Sequence, residues 1–284
     1  MSAPLIVNAC LSGMVPTKAD NPAVPVTPDE IADDVERVVA AGASIVHLHA
    51  RDENGAPTYR REVYADIIGR VRERCPDVIV VVSTSGRTFK AFEERADVLD
   101  LTGDLKPDMA SLTLGSLNFP KQAVANEPEM IRRLAERMRE RGIVPELEVF
   151  DLGMVDYAIH LIERGVLDGS RPYFNILLGS LGTLSATPLN LALTVQALPA
   201  GAVWAGAGIG RYQFAMTAQA VTMGGHVRVG LEDNLFLGVK ERPATNVALV
   251  ERIVALGRAF EREPAQPAEA RAALLSGGRT LLRS

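Results

Sequence analysis

Apolar and polar positions along the chain alternate between two rhythms. Short apolar runs at 4–9, 44–49, 78–83, 108–114, 144–150, 172–178, 202–206 and 226–231 have the length and composition of strands. Between them, spacings of three and four residues predict helices over 28–41, 60–74, 89–98, 127–141, 152–165, 188–198, 211–223 and 244–261. Thr27-Pro28-Asp29-Glu30 offers an N-cap, a proline at the first helical position and an acidic first turn. Asn126-Glu127-Pro128-Glu129 repeats the device, and Gly42, Gly142 and Gly165 stand where helices end in a left-handed residue. Eight strand–helix units in about 260 residues have the length and order of a (β/α)8 TIM barrel. Periodicity alone also permits a doubly wound sheet. The fold expected is therefore α/β, one TIM-barrel catalytic domain over residues 1–284. The segment 11–27, with Pro16, Pro22 and Pro25, is expected to be an ordered loop over the active-site end. The C-terminal extension, 262–284, is expected to end in a short helix packed on the outside or on a neighbouring subunit.

Composition narrows the function classes. A hydrophobic content of 47% over 284 residues supports a large core. A net charge of −5 and the lack of any basic block with interleaved aromatics argue against nucleic acid as a partner. No apolar stretch approaches the ~18 residues of a membrane span, and the first ten residues carry no positive leader. Two cysteines, Cys10 and Cys75, form no CxxC pair, so no disulfide framework is expected; a cytoplasmic location fits.

The chemistry concentrates at predicted strand ends. His47 and His49 are one residue apart in Ile45-Val46-His47-Leu48-His49, so in a strand both imidazoles share a face. In the eighth run, His226-Val227-Arg228-Val229-Gly230-Leu231-Glu232, strict alternation puts Arg228 and Glu232 on the face opposite the three apolar side chains. If that apolar face meets the outer helices, Glu232 lies level with the histidines, and His47, His49 and Glu232 make a catalytic metal set with an open position. Arg228, pointing inward, needs an anionic partner. Asp233 is nearest, but it has the wrong parity, so the pairing requires the chain to turn at the strand end; a purely structural ion pair is the alternative. His160 reads as a helical surface residue and His226 as structural at the opposite barrel end. Gly206, Gly208 and Gly210, followed by Arg211, suit close backbone approach to an anion; a simple tight turn is the competing reading. Ser83, Thr84, Arg87, Ser111, Thr113, Glu146 and Glu148 gather at other strand ends, either to contact an oxygen-rich substrate or to cap helices.

Several stretches together resemble the β-keto acid cleavage enzymes, zinc-dependent (β/α)8 proteins. They are Asn21-Pro22-Ala23-Val24-Pro25-Val26-Thr27, Gly42 to His49, Pro145-Glu146-Leu147-Glu148-Val149-Phe150-Asp151, Asp156-Tyr157-Ala158, Gly208 to Gln213 and Gly224 to Asn234. The resemblance implies a β-keto acid and acetyl-CoA as substrates, with acetoacetate and a new acyl-CoA as products. It implies Zn2+ held by His47, His49 and Glu232, Asp233 as base oriented by Arg228, and Ser83 on the substrate's carboxylate or keto group. Glu146 and Glu148 remain alternatives for the base. Gly208, Gly210 and Arg211 are the expected contacts for the coenzyme. A homotetramer or homodimer is expected. Where the enzyme for an amino substrate carries a glutamate in the first loop, this chain has Val15, so the preferred side chain should be neutral or anionic; Arg87 replaces a small residue and is a candidate partner for a distal carboxylate. A metal-dependent hydrolase and a non-catalytic metal and keto-acid binder are the competing readings.

Overall fold

The computed structural model describes residues 3–119, 122–238 and 242–275. Eight parallel strands close into a barrel: β1 (Val7–Cys10), β2 (Ile45–Leu48), β3 (Ile79–Val82), β4 (Met109–Thr113), β5 (Val144–Val149), β6 (Tyr173–Leu178), β7 (Val203–Gly208) and β8 (His226–Val229). Each pairs with its sequence neighbours, and β1 closes the ring on β8 through Val7–Val227, Asn8–Arg228 and Ala9–Val229. The doubly wound alternative is thereby removed. The outer helices are α1 (Pro28–Ala40), α2 (Arg61–Arg74), α3 (Phe92–Ala96), α4 (Pro128–Arg141), α5 (Leu152–Glu163), α6 (Pro188–Ala197), α7 (Gln213–Thr222) and α8 (Asn246–Ala259). Thr27 caps α1 in a capping box with Glu30, and Gly142 ends α4 at φ 61°. The third helix is shorter than its pattern suggests, because α3 tightens at once into a 3₁₀ turn over Asp97–Asp100.

Alternation on the strands sorts the core into two layers. Val46, Leu48, Val80, Val82, Leu112, Leu147, Phe174, Val227 and Val229 face the helices and form the main apolar cluster. On β2, β4 and β6 the inward positions grade from apolar to polar along the strand. Ile45 precedes His47, Met109 precedes Ser111 and Thr113, and Tyr173 precedes Asn175, all on one parity. The active-site end is therefore written into the barrel interior as a polar layer above an apolar one.

The C-terminal extension departs from expectation. Its helix α9 (Pro267–Leu274) lies across the N-terminal end of the barrel, not on its outside. Ala265, Ala270 and Leu274 join Ile6, Ile45, Ile79, Met109, Tyr173 and Ala205 in a second apolar cluster. Arg271 fixes this plug by donating to both oxygens of Asp108 (2.7 and 2.9 Å) and to the carbonyls of Asp77 and Val78. An open barrel end would leave that apolar layer wet, and the short helix removes it from water. Residues 276–284 of the extension lie outside the described residues.

Candidate active site

His47 lies near the end of β2 with one ring nitrogen committed. Its Nδ1 meets Glu146 Oε2 at 2.8 Å, and Glu146 in turn accepts from Asn8 Nδ2 at 2.6 Å. That bond turns Nε2 toward Glu232, 3.9 Å away, while His49 Nε2 lies 3.3 Å from the other oxygen of Glu232. The three ligand atoms sit within 4.8 Å of one another. Both His49 Nε2 and Glu232 Oε2 are buried and have no hydrogen-bond partner among the described residues. Two imidazole nitrogens and a carboxylate converging here, with His49 Nε2 and Glu232 Oε2 left unpartnered, fit a divalent cation of borderline softness. The Glu146–His47 bond is the outer support that metal-ligating histidines ordinarily carry. His47, Glu146 and Glu148 also lie close together, but the Glu146 oxygen is spent on Nδ1, which favours the first set.

Electrostatics agree with that assignment. Burial opposes a charge on His47, but Glu232 and Glu146 outweigh it and push the imidazole up to about 9. A divalent cation would meet that negative field in the proton's place. Burial dominates at His49 and holds it below the usual histidine range. Burial also works against an ionised Glu232, yet His49, Arg228 and His47 keep it well below the usual carboxylate range.

Arg228 is the hub of the site. It is 1% exposed, and its guanidinium donates to Asp233 from Nε (2.9 Å) and Nη2 (3.4 Å), to Glu232 from Nη2 (3.0 Å) and to Glu148 from Nη1 (3.1 Å). A planar five-donor cation suits such a cluster, where a point charge would not. The required turn at the strand end exists. β8 stops at Val229, Gly230 takes φ +150°, and Asp233 and Asn234 both donate their amides to the Gly230 carbonyl. A Cβ at Gly230 would strike the Cys10 backbone on β1, so only glycine permits this turn. Gly13, at φ +62°, packs the first loop onto Glu232, where a Cβ would lie 2.7 Å from Glu232 Cγ.

A family model for beta-keto acid cleavage enzymes matches residues 4–275. The chain belongs to the β-keto acid cleavage enzyme family. It is 41% identical to a 3-keto-5-aminohexanoate cleavage enzyme of Fusobacterium nucleatum subsp. nucleatum, over 95% of this chain and 97% of that one. It is 37% identical to a 3-oxoadipate:acetyl-CoA acetyltransferase of Cupriavidus necator, over 96% and 95%. Among solved structures, ObcA in complex with a C4-CoA adduct and oxalate superposes with a TM-score of 0.80 at 22% identity, covering 89% of this chain and 67% of that one. That likeness bears on the fold alone.

In this β-keto acid cleavage enzyme the site opens into a cavity of about 1080 Å³. Ser83, Ser111, Thr113, Arg87, Gly210 and Arg211 line it, as do Met14 and Val15 from the first loop. Thr84, Glu146, Gly206 and Gly208, also singled out in the sequence, do not line it. Thr84 is turned into the β3–β4 seam, where its hydroxyl donates to the Ser111 carbonyl at 2.6 Å and its amide to Ser111 Oγ. Glu146 is fully buried beneath His47. Gly208 is packed against the backbone of Tyr212 in its own following turn, so its missing Cβ serves that turn. Glu148, in contrast, reaches the cavity and accepts from Thr113 Oγ1 at 2.7 Å. His226 behaves as a structural residue, with its Nδ1 accepting from the Ile6 amide at 3.1 Å. Asn8, Gly13, Phe119 and Arg252 were not anticipated. Asn8, an amide in the midst of an apolar strand, was the one with a readable signal.

Proposed function

We propose that this chain is a zinc-dependent acyltransferase that joins a β-keto acid to acetyl-CoA and releases acetoacetate and a new acyl-CoA. The observation that carries the reading is Arg228 bonded to Asp233, next in sequence to Glu232, at the floor of the cavity. His47, His49 and Glu232 would hold the metal. When bound, zinc supplies Lewis-acid stabilisation of the charge that develops on the keto oxygen. Asp233 takes a proton from C2 of the keto acid, and Arg228 fixes the direction from which it does so. Burial raises Asp233 above the usual aspartate range; Arg228 draws it back and Glu232 raises it again, which suits a group that must accept a proton. Glu148 is the runner-up for this role. The hydroxyls of Ser83, Ser111 and Thr113 are offered to the substrate carboxylate. The C2 carbanion forms a carbon–carbon bond to the acetyl carbonyl and the thioester C–S bond breaks. The CoA thiolate then adds to the original keto carbon, and the C2–C3 bond breaks, so that the proton returns to acetoacetate.

Gly210, Arg211 and Arg252 line the cavity on the β7–α8 side, suited to the coenzyme phosphates. Among the described residues no helix is long and apolar enough to cross a membrane. A cytoplasmic location and a homotetrameric or homodimeric assembly complete the proposal. Exposed Leu189 and Leu193 on α6, with Leu181 before it, support self-association.

The test is a metal analysis coupled to an acetoacetate assay with acetyl-CoA and a panel of β-keto acids. About one zinc per chain and acetoacetate from at least one acid are expected. Glu232→Gln should lose the metal and at least about 10³-fold in kcat/KM while staying folded. Zinc-loaded protein that gives no acetoacetate from any acid, or a Glu232→Gln variant that keeps full activity, would overturn the proposal.

A further inference from the structure

The ionic groups of the cavity are unevenly committed. Its acids among the described residues are Glu148, Glu232 and Asp233, and all three bond to Arg228. Among the described residues no carboxylate there is left for a substrate ammonium. Its other arginines among the described residues are Arg87, Arg211 and Arg252, and none has an ion pair with a described residue. Each is instead laid on an aromatic ring: Arg87 on Phe119 with the guanidinium carbon 3.5 Å from the ring centre, Arg252 on Phe214 at 3.5 Å, Arg211 on Tyr212 at 4.9 Å. A stacked guanidinium is held in place while its edge donors stay available, although Arg211 spends one on the Tyr212 hydroxyl at 2.7 Å.

These three cations fall on two sides. Arg211 and Arg252 belong to the β7–α8 side. Arg87 follows β3, and the ring order places β3 four strands from β7, across the barrel. Arg87 is half-buried between strand ends, with Leu117, Phe119 and Phe150 in the same wall. Arg87 lines the same cavity as Glu232, Asp233 and Glu148; burial lowers its proton affinity and those carboxylates act in the opposite sense. In the acyl-transfer reading one substrate end sits at His47, His49 and Glu232 and the coenzyme on the β7–α8 side, which leaves Arg87 to the remaining end of the keto acid.

We propose that Arg87, positioned by Phe119, binds a second, distal carboxylate, and that the substrate class of this chain is the β-keto dicarboxylic acids. The assignment rests on the acyl-transfer reading above. An Arg–carboxylate pair in a walled site is the strong, planar form of charge recognition, and a methyl group in the same place leaves the guanidinium without its anion. Val15 in the first loop adds no charge of its own.

The experiment compares 3-oxohexanedioate with 3-oxohexanoate, which differ only in the distal group, and adds 5-amino-3-oxohexanoate as the cationic case. Acetoacetate formation is followed with wild type, Arg87→Gln and Arg87→Lys. Wild type should prefer the diacid over the monoacid by about 100-fold in kcat/KM and use the amino acid least. Arg87→Gln should cut that preference to within a few-fold, and Arg87→Lys should restore part of it. A preference untouched by Arg87→Gln, or an equal loss on both acids with a raised KM for acetyl-CoA, would overturn the assignment; the second result would give Arg87 to the coenzyme. Calorimetric binding of the two acids without acetyl-CoA separates the two proposals. Should no acid yield acetoacetate, the acyl-transfer reading fails. The binding ratio then decides Arg87: a diacid preference lost in Arg87→Gln upholds it, and equal binding rejects it.

Discussion

The two ends of one barrel solve opposite problems with the same strands. At the N-terminal end, Ile6, Ile45, Ile79, Met109 and Tyr173 make an apolar layer sealed by α9, with Ala270 wholly buried beneath it. Two residues further along four of these strands, the inward positions are Asn8, His47, Ser111 and Asn175, and polar groups take over; on β3 the next position, Val81, is still apolar and the change comes at Ser83. Histidine exposes the contrast. His47, between two carboxylates, is pushed up to about 9; His226, at the apolar end beside Arg262 and Arg171, is held down to about 4. Burial opposes the proton in both places, so the sign of the neighbouring charge decides. Stability is expected to reside at one end and chemistry at the other, as barrel enzymes divide them.

The sharpest way to break that division is Arg228→Met. The substitution removes the cation shared by Glu148, Glu232 and Asp233 and keeps an unbranched side chain in its place. Acetoacetate production should fall by at least about 10⁴-fold, since the base loses its orientation and the cluster its balance. Unfolding free energy should drop by about 3–5 kcal/mol, the usual result of stripping one partner from a buried ionic cluster. Chemical denaturation of the metal-loaded protein measures it. A loss under about 1 kcal/mol would mean that the metal and the histidines already balance the carboxylates.

Ala270→Asp asks the reverse question at the sealed end. A carboxylate placed against Ile6, Ile45 and Ile79 has no partner, and stability should fall by about 3 kcal/mol. Activity per folded molecule should stay within about twofold of wild type, because nothing in α9 reaches the cavity. If kcat fell while the unfolding midpoint held, the two ends would be coupled and the division false.

Legibility in the sequence followed the range of the interaction. The eight strand–helix units were readable because each is local, and His47 and His49 because parity within one strand is local too. The Arg228–Asp233 pair was foreseen as needing a turn. What makes the turn is the close approach of Gly230 to Cys10, two strands that meet only when the ring closes. Glu146 looked like a substrate contact because its partner, His47, lies 99 residues away in the chain. Thr84 and Gly208 carry the right chemistry in the right loops, yet packing against Ser111 and Tyr212 turns them elsewhere. Arg252 was invisible because its ring, Phe214, sits on another helix. The helix α9 could be predicted, but its seat on the barrel floor depends on Asp108 and on strands far upstream.

The gentlest probe of the comparison is His226. Its folded form resists protonation until about pH 4, because burial, then Arg262, then Arg171 disfavour the charge, whereas the unfolded chain takes the proton near 6.5. Between those values the unfolded state binds more protons, so stability must fall as pH falls. Above pH 6.5 the group contributes no slope; below about 4 its effect is complete. His226→Gln keeps an acceptor for the Ile6 amide and removes the titration. The measurement is the difference in unfolding free energy between wild type and variant, which cancels the carboxylates common to both. From about pH 7.5 to about pH 4.5, wild type should lose roughly 2–3 kcal/mol relative to the variant. A difference that stays level across that range would mean that the sealed end accepts a charged imidazole as readily as water does, and the contrast with His47 would then reduce to carboxylates alone.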